Sequence, residues 1–258
     1  MVVEIKANRM SRKGQIAIFI ILALILVVSI LLIFAFRNPP EIEVLDDENP
    51  QASIESCVSE VVNEVVNVLS VQGGDFNPQG SVMYQGRNIT YLCYINENYL
   101  PCVNQRPLLI EHIENEIKVN IRQNVENCFE NLKAGLERRY EVEMGSLDID
   151  VNLNRRKIKV DLIREMRIVR GDNVREFKDF KVEILNPIYD LAKIAGEIVN
   201  QESEFCNFNE VGFMLIYPEY DVQRIKTGDS DTIYILQERV SGKDFNFAVR
   251  SCVMPPGI

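Results

Sequence analysis

Histidine occurs once and tryptophan not at all in the 258 residues. A lone imidazole excludes a multi-histidine metal centre within one chain. None of the six cysteines is spaced as C-x-x-C, so zinc ribbons, thioredoxin-type redox sites and haem attachment lack their signature. Nor is there a G-x-S-x-G, an H-E-x-x-H, a phosphate-binding P-loop or a dinucleotide fingerprint. Basic charge is short as well: 28 Lys and Arg face 38 Asp and Glu, for a net charge of -10. So acidic a chain is a poor match for a nucleic-acid backbone. Charged residues at 26% and apolar ones at 47% are normal for a folded protein and exclude wholesale disorder. A mean hydropathy of -0.05 excludes a many-span membrane protein, but a single span can hide in that average.

One long apolar run is present. No charge interrupts Ile16 to Phe36, and Ser29 is its only hydroxyl. At about 1.5 Å per residue, a helix of that length spans about 30 Å, the thickness of a bilayer core. A buried helix of a soluble core would show a polar face, and this run has none. The run predicts a transmembrane helix over residues 16–36, with the lipid bilayer as partner. Lys6, Arg9, Arg12 and Lys13 precede it, against Glu4 alone. Glu41, Glu43, Asp46, Asp47 and Glu48 follow it. Positive flanks stay inside, so residues 1–15 are expected in the cytoplasm and residues 38–258 outside. A cleaved secretory signal has a shorter apolar region of about 7–15 residues and a small-x-small site. Here Arg37-Asn38-Pro39-Pro40 follows, which favours an uncleaved anchor.

Arg12-Lys13-Gly14-Gln15, set directly before an apolar helix, resembles the class III signal peptide of archaeal type IV pilin-like proteins. That resemblance implies cleavage on the cytoplasmic side between Gly14 and Gln15, with the apolar helix kept. Ala17 and Phe19 stand where the family usually has Ser and Glu at the third and fifth mature positions; that Glu commonly pairs with a neighbouring subunit. The chain also resembles uncharacterised single-span surface proteins of archaea, a likeness that implies no activity.

All six cysteines, Cys57, Cys93, Cys102, Cys128, Cys206 and Cys252, lie beyond the apolar run. In an oxidising exterior the expectation is three disulfides; the alternative is six buried free thiols. Six cysteines allow about 15 connectivities. Local geometry favours Cys93 with Cys102, closing a hairpin around Tyr94 to Pro101. Cys57 and Cys128 would then tie two helices side by side, which leaves Cys206 with Cys252. Asn88-Ile89-Thr90 is the only glycosylation sequon and falls in an expected turn, a sensible acceptor only outside the cell.

Residues 37–49 read as an acidic, Pro-containing linker. Asn49-Pro50 then reads as a helix start, and Ile54, Val58, Val61, Val62, Val65, Val66, Val68 and Leu69 keep helical spacing as far as Gly73-Gly74. Val82 to Val103 is β-like and rich in tyrosine. Arg106-Pro107 opens a second helix, in which Leu109, Ile113, Ile117, Ile121 and Val125 recur at four-residue steps, ending near Ala134-Gly135. Leu147 to Leu153 and Ile158 to Leu162 alternate across Asn154-Arg155-Arg156, a hairpin signal, and Val174 to Ile184 extends it. Asn186-Pro187 starts a third soluble helix. Val211 to Tyr217, Thr232 to Leu236 and Phe245 to Val249 read as strands. The expected fold is α+β: one transmembrane helix, then a disulfide-stapled exterior of helices and antiparallel strands. Its outer part divides into a helical lobe, residues 50–137, and an α+β lobe, residues 138–258.

Chemistry is thin. His112 sits between Glu111 and Glu116, off the apolar row; the choice is a general base or an exposed helix residue, and the second is expected. Asp148 and Asp150 share a strand face and supply carboxylates for a hydrolase. Gly228-Asp229-Ser230-Asp231 reads as a polar turn rather than a calcium loop. Arg155, Arg156, Lys157, Lys159, Arg164, Arg167, Arg170 and Arg175 form a local basic excess, either a docking face or a solvated strand paired to Asp161, Glu165 and Glu176. Tyr84, Tyr91, Tyr94 and Tyr99 suit stacking on sugars or core packing. No residue is expected to be catalytic, and no cofactor or metal is expected. The expected role is structural, adhesive or in assembly, with a protein partner in the cell envelope and no nucleic acid. The alternatives are a pilin-like subunit and an envelope hydrolase.

Overall fold

Period decides the long helices. In α1 (Pro50–Val71), Ile54, Val58, Val62, Val66 and Leu69 are buried along one stripe, although valine is a poor helix former. The Asn49 side chain caps α1 by accepting from Ala52 N at 3.3 Å, and Pro50 takes the first position, where no amide donor is needed. α2 (Leu109–Leu136) buries Leu109, Ile113, Ile117, Ile121, Val125, Phe129, Leu132 and Leu136. The two stripes pack on each other.

The structure, a computed structural model, describes residues 49–254, together with Leu22, Leu24, Leu26 and Val27, which are helical and exposed. Among the described residues, no helix is long and apolar enough to cross a membrane. Apart from those four residues, the expected span 16–36 lies outside the described residues, as do Gly14, Gln15 and the linker up to residue 48. The described residues from Asn49 to Met254 form one compact unit.

Two sheets pack against the helices. The first runs β1 (Ser81–Tyr84), β2 (Arg87–Tyr94), β10 (Asp244–Arg250), β9 (Thr232–Glu238) and β8 (Tyr220–Lys226), with the short β3 (Val103–Asn104) also on β2. Every pair is antiparallel except β10 with β2, which is parallel and shifts register at Ala248/Val249. The second sheet centres on β6 (Lys157–Arg170), with β7 (Asn173–Leu185), β4 (Glu141–Met144) and β5 (Asp148–Asn154) antiparallel to it. The expected hairpin across Asn154-Arg155-Arg156 is present, with Arg156 in the left-handed region. α1 touches both β7 and β10, and α3 (Ile188–Phe205) touches strands of both sheets. Residues 50–137 and 138–258 therefore share a sheet through the β2–β10 pair.

One expected strand is a helix. Residues 210–216 form α4 (Glu210–Ile216), capped by Asn209 Oδ1, which accepts from Gly212 N at 3.0 Å. A short unbroken apolar run suits a buried strand or a helix equally. The cap decides between them, and Phe213 N and Tyr217 N then donate to Asn209 O and Phe213 O. None of the α4 residues is buried.

The cysteines form three disulfides, Cys57–Cys128 between α1 and α2, Cys93–Cys102 across the β2–β3 hairpin, and Cys206–Cys252. These are the pairs that local geometry favoured, and no cysteine is left free among the described residues.

Candidate functional site

A Gly-Gly-Asp turn builds a buried polar cluster. Gly73 and Gly74 have φ of 77° and 90°, open to glycine at little steric cost. Space closes the case: a Cβ on Gly73 would lie 3.0 Å from Thr90 Cβ, and one on Gly74 would lie 3.0 Å from Ile113 Cγ1. The turn ends α1, Gly74 N donating to Leu69 O at 2.8 Å, and it drives Asp75 inward to 5% exposure.

Asp75 is met there by three donors. Thr90 Oγ1 donates to Oδ2 at 2.8 Å, His112 Nε2 lies 2.5 Å from Oδ1, and Arg106 Nη2 lies 3.3 Å from Oδ2. Burial alone would push the Asp75 carboxyl up. The hydrogen bonds from His112 and Thr90, with the charges of Arg106 and His112, outweigh it and hold the group below its ordinary range. The cluster ties the turn to β2, to the start of α2 and to the segment before it. Glu116, one turn further along α2, accepts from Phe76 N at 2.9 Å instead of facing His112. His112 is thus half-buried and bonded to a carboxylate far away in sequence, not the exposed helix residue expected. No nucleophile joins the pair: the Thr90 hydroxyl is engaged with Asp75.

Beside this cluster opens a cavity of about 440 Å³ lined by Gln79, Gly80, Ser81, Thr90, Tyr91, Tyr94, Gln105 and Arg106. The Tyr91 and Tyr94 rings meet edge to face, centroids 5.0 Å apart. Burial, followed by a hydrogen bond and the charge of Asp231, raises the Tyr91 phenol well above its usual value, so it stays protonated. A second hollow of about 650 Å³ lies along α3, α4 and β8, lined by Ile194, Phe208, Phe213, Ile216, Tyr217 and Tyr220 among others.

Of the two readings of the basic excess, the solvated strand with ion pairs is the one the contacts match. Lys157 binds Glu183, Lys159 binds Asp161, Arg167 bridges Glu143 and Glu176, and Lys178 reaches Glu165. Arg170 and Arg175 both lie over the Tyr140 ring. Arg164 departs from the solvated strand pattern. It is 5% exposed, bound to Glu126 at 2.8 Å and to Gly145 O at 3.0 Å, with its guanidinium 5.0 Å from the Phe129 centroid. Its position between Leu162 and Met166, in phase with the buried face of β6, was the available signal.

Asp148 and Asp150 are exposed on β5, the first near Arg122 and the second accepting from Asn152. Asp229 to Asp231 form the β8–β9 turn, closed by Thr227 N donating to Asp231 O at 2.8 Å. Asp231 itself is buried beside Arg250. Asn88 is exposed at the β1–β2 hairpin. Among the described residues, no group of three or more His, Cys, Asp or Glu side chains is placed to hold a metal ion.

No protein-family model, curated protein or solved structure matches the chain. The functional reading therefore rests on the chemistry of its own residues.

Proposed function

We propose that this is a membrane-anchored protein whose disulfide-closed region works outside the membrane, in a structural, adhesive or assembly role. The observation that carries the reading is the state of the cysteines: all six follow the apolar run, and all six are paired. Disulfides that tie helix to helix and terminus to core belong to oxidising compartments. The uncharged stretch 16–36 and its basic leading flank supply the anchor and the orientation. Recognition suits the site better than catalysis, because the one imidazole is committed to Asp75 and has no nucleophile beside it.

Arg12-Lys13-Gly14-Gln15 favours a second reading, a pilin-like subunit cut between Gly14 and Gln15. Protease treatment of intact cells, with alkylation of the chain before and after reduction, tests the first reading. Digestion of residues 46–258 from outside and thiols that react only after reduction are expected. A protected chain with reactive thiols overturns it. Sequencing the mature N-terminus separates the two: Gln15 as first residue supports processing, and an intact start supports the plain anchor.

A further inference from the structure

We propose that the cavity between Tyr91, Tyr94 and Arg106 binds a neutral sugar, a mono- or disaccharide. The proposal rests on the exterior reading only for where that sugar is met.

Size comes first. A hollow of about 440 Å³ falls within the range of about 300–1,000 Å³ typical of small-molecule sites. The lining chemistry comes second. Two half-buried phenol rings stand edge to face, and an aromatic face takes up the C–H face of a pyranose while its hydroxyl bonds at the rim. Around them lie groups of both hydrogen-bonding senses. The Gln79 and Gln105 amide nitrogens donate to Asn77 O at 3.3 Å and Val103 O at 2.8 Å, which leaves the amide oxygens as acceptors. Ser81 adds a hydroxyl that both donates and accepts. Sugar hydroxyls need that mixture; an apolar ligand would leave it unsatisfied.

Charge selects a neutral ligand over an anion. The Arg106 guanidinium is already balanced by Asp75 at 3.3 Å, and the chain carries a net charge of -10. Asp231, the acid that raises the Tyr91 phenol, is likewise paired, with Arg250 at 3.6 Å. An anion would enter against this field. Satisfaction is incomplete here too. Among the described residues, Arg106 Nε is one of the few buried side-chain polar atoms without a hydrogen-bond partner. A buried donor left unpaired is costly, so a polar ligand that repacks this corner has something to gain.

Saturation-transfer NMR on the full chain in detergent micelles tests the proposal. The probes are glucose, galactose, mannose, N-acetylglucosamine, maltose and cellobiose, with inorganic phosphate as the anionic competitor. Transfer to the ring C–H protons of at least one sugar is expected. Tyr94→Ala should abolish it and Tyr94→Phe should keep it, because the ring is retained. Arg106→Lys should weaken it by about tenfold. Tyr217→Ala, in the other hollow, should leave it intact. Transfer to none of these sugars, transfer that survives Tyr94→Ala, or displacement of the sugar by phosphate overturns the proposal. The two readings fail separately. An externally digestible chain that binds no sugar sinks only this site, and a sugar-binding chain shielded inside the cell sinks only the location.

Discussion

His112 Nε2 lies 2.5 Å from Asp75 Oδ1, joining the start of α2 to the turn that ends α1. The turn would otherwise bury a bare carboxylate, and the donors around Asp75 make its charge tolerable. Because its carboxyl is held below the ordinary value of 3.8, the folded state binds a proton less readily than the unfolded chain. Asp75 therefore stabilises the fold fully well above that value, and the contribution is lost as the pH falls through the folded value. Asp75→Asn should cost about 1–3 kcal/mol in urea unfolding at neutral pH, and the difference from the native chain should shrink as the pH drops below 3.8. A deficit that stays constant with pH would show that the charge plays no part.

Gly73 tests the turn itself. A side chain there meets Thr90 Cβ at 3.0 Å and must also adopt a φ of 77°. The backbone alone costs about 1–2 kcal/mol for an L-residue, and the crowding of Thr90, which holds Asp75, adds to it. Gly73→Ala should destabilise by about 2–3 kcal/mol in the same unfolding assay. Gly86→Ala, with a φ of 79° but open space around it, should cost only the backbone share. Equal losses at the two positions would refute the steric contribution.

Local pattern was enough for α1, α2 and the β5–β6 hairpin, because each buries a stripe whose period is written in a continuous segment. The Cys93–Cys102 pair was legible for the same reason, its two ends facing each other across a short loop. What failed was non-local or ambiguous. β4 alternates but is only four residues long, and β8 breaks its alternation at Arg224-Ile225, so neither stands out. The parallel β2–β10 pairing joins residues far apart in sequence, such as Tyr91 and Ala248. α4 turned on one cap, Asn209. The Asp75 cluster draws on four segments that no spacing rule connects; Gly73-Gly74 marked a turn, but not what the turn delivers.

Arg164 occupies a core position on β6 while keeping its charge. Its partners Glu126 and Glu130 are 37% and 54% exposed, so the ion pair gains little against the cost of burying the guanidinium, one nitrogen of which has no partner. What it does fill is volume against Phe129. Arg164→Met should therefore change stability by less than about 1 kcal/mol, whereas Arg164→Ala should cost about 2–4 kcal/mol through the cavity it leaves. Equal losses for Met and Ala in urea unfolding would mean that the charge, not the packing, is what the position requires.

The three disulfides close loops of very different length, with sequence separations of 71, 46 and 9 residues. In the chain-entropy account, a cross-link stabilises by restricting the unfolded ensemble, and the effect grows with the logarithm of the loop. Applied here, it assigns about 4 kcal/mol each to Cys57–Cys128 and Cys206–Cys252, and about 2.5 kcal/mol to Cys93–Cys102. Replacing each pair by alanines avoids burying new hydroxyls. The Cys57/Cys128 double variant should lower the thermal midpoint more than the Cys93/Cys102 variant, with the Cys206/Cys252 variant close to the first. Thermal unfolding of the full chain under non-reducing conditions measures the order. If loss of the short hairpin loop proved the most damaging, native packing around Cys93 and Cys102, both buried, would outweigh unfolded-state entropy, and the ranking by loop length would be wrong.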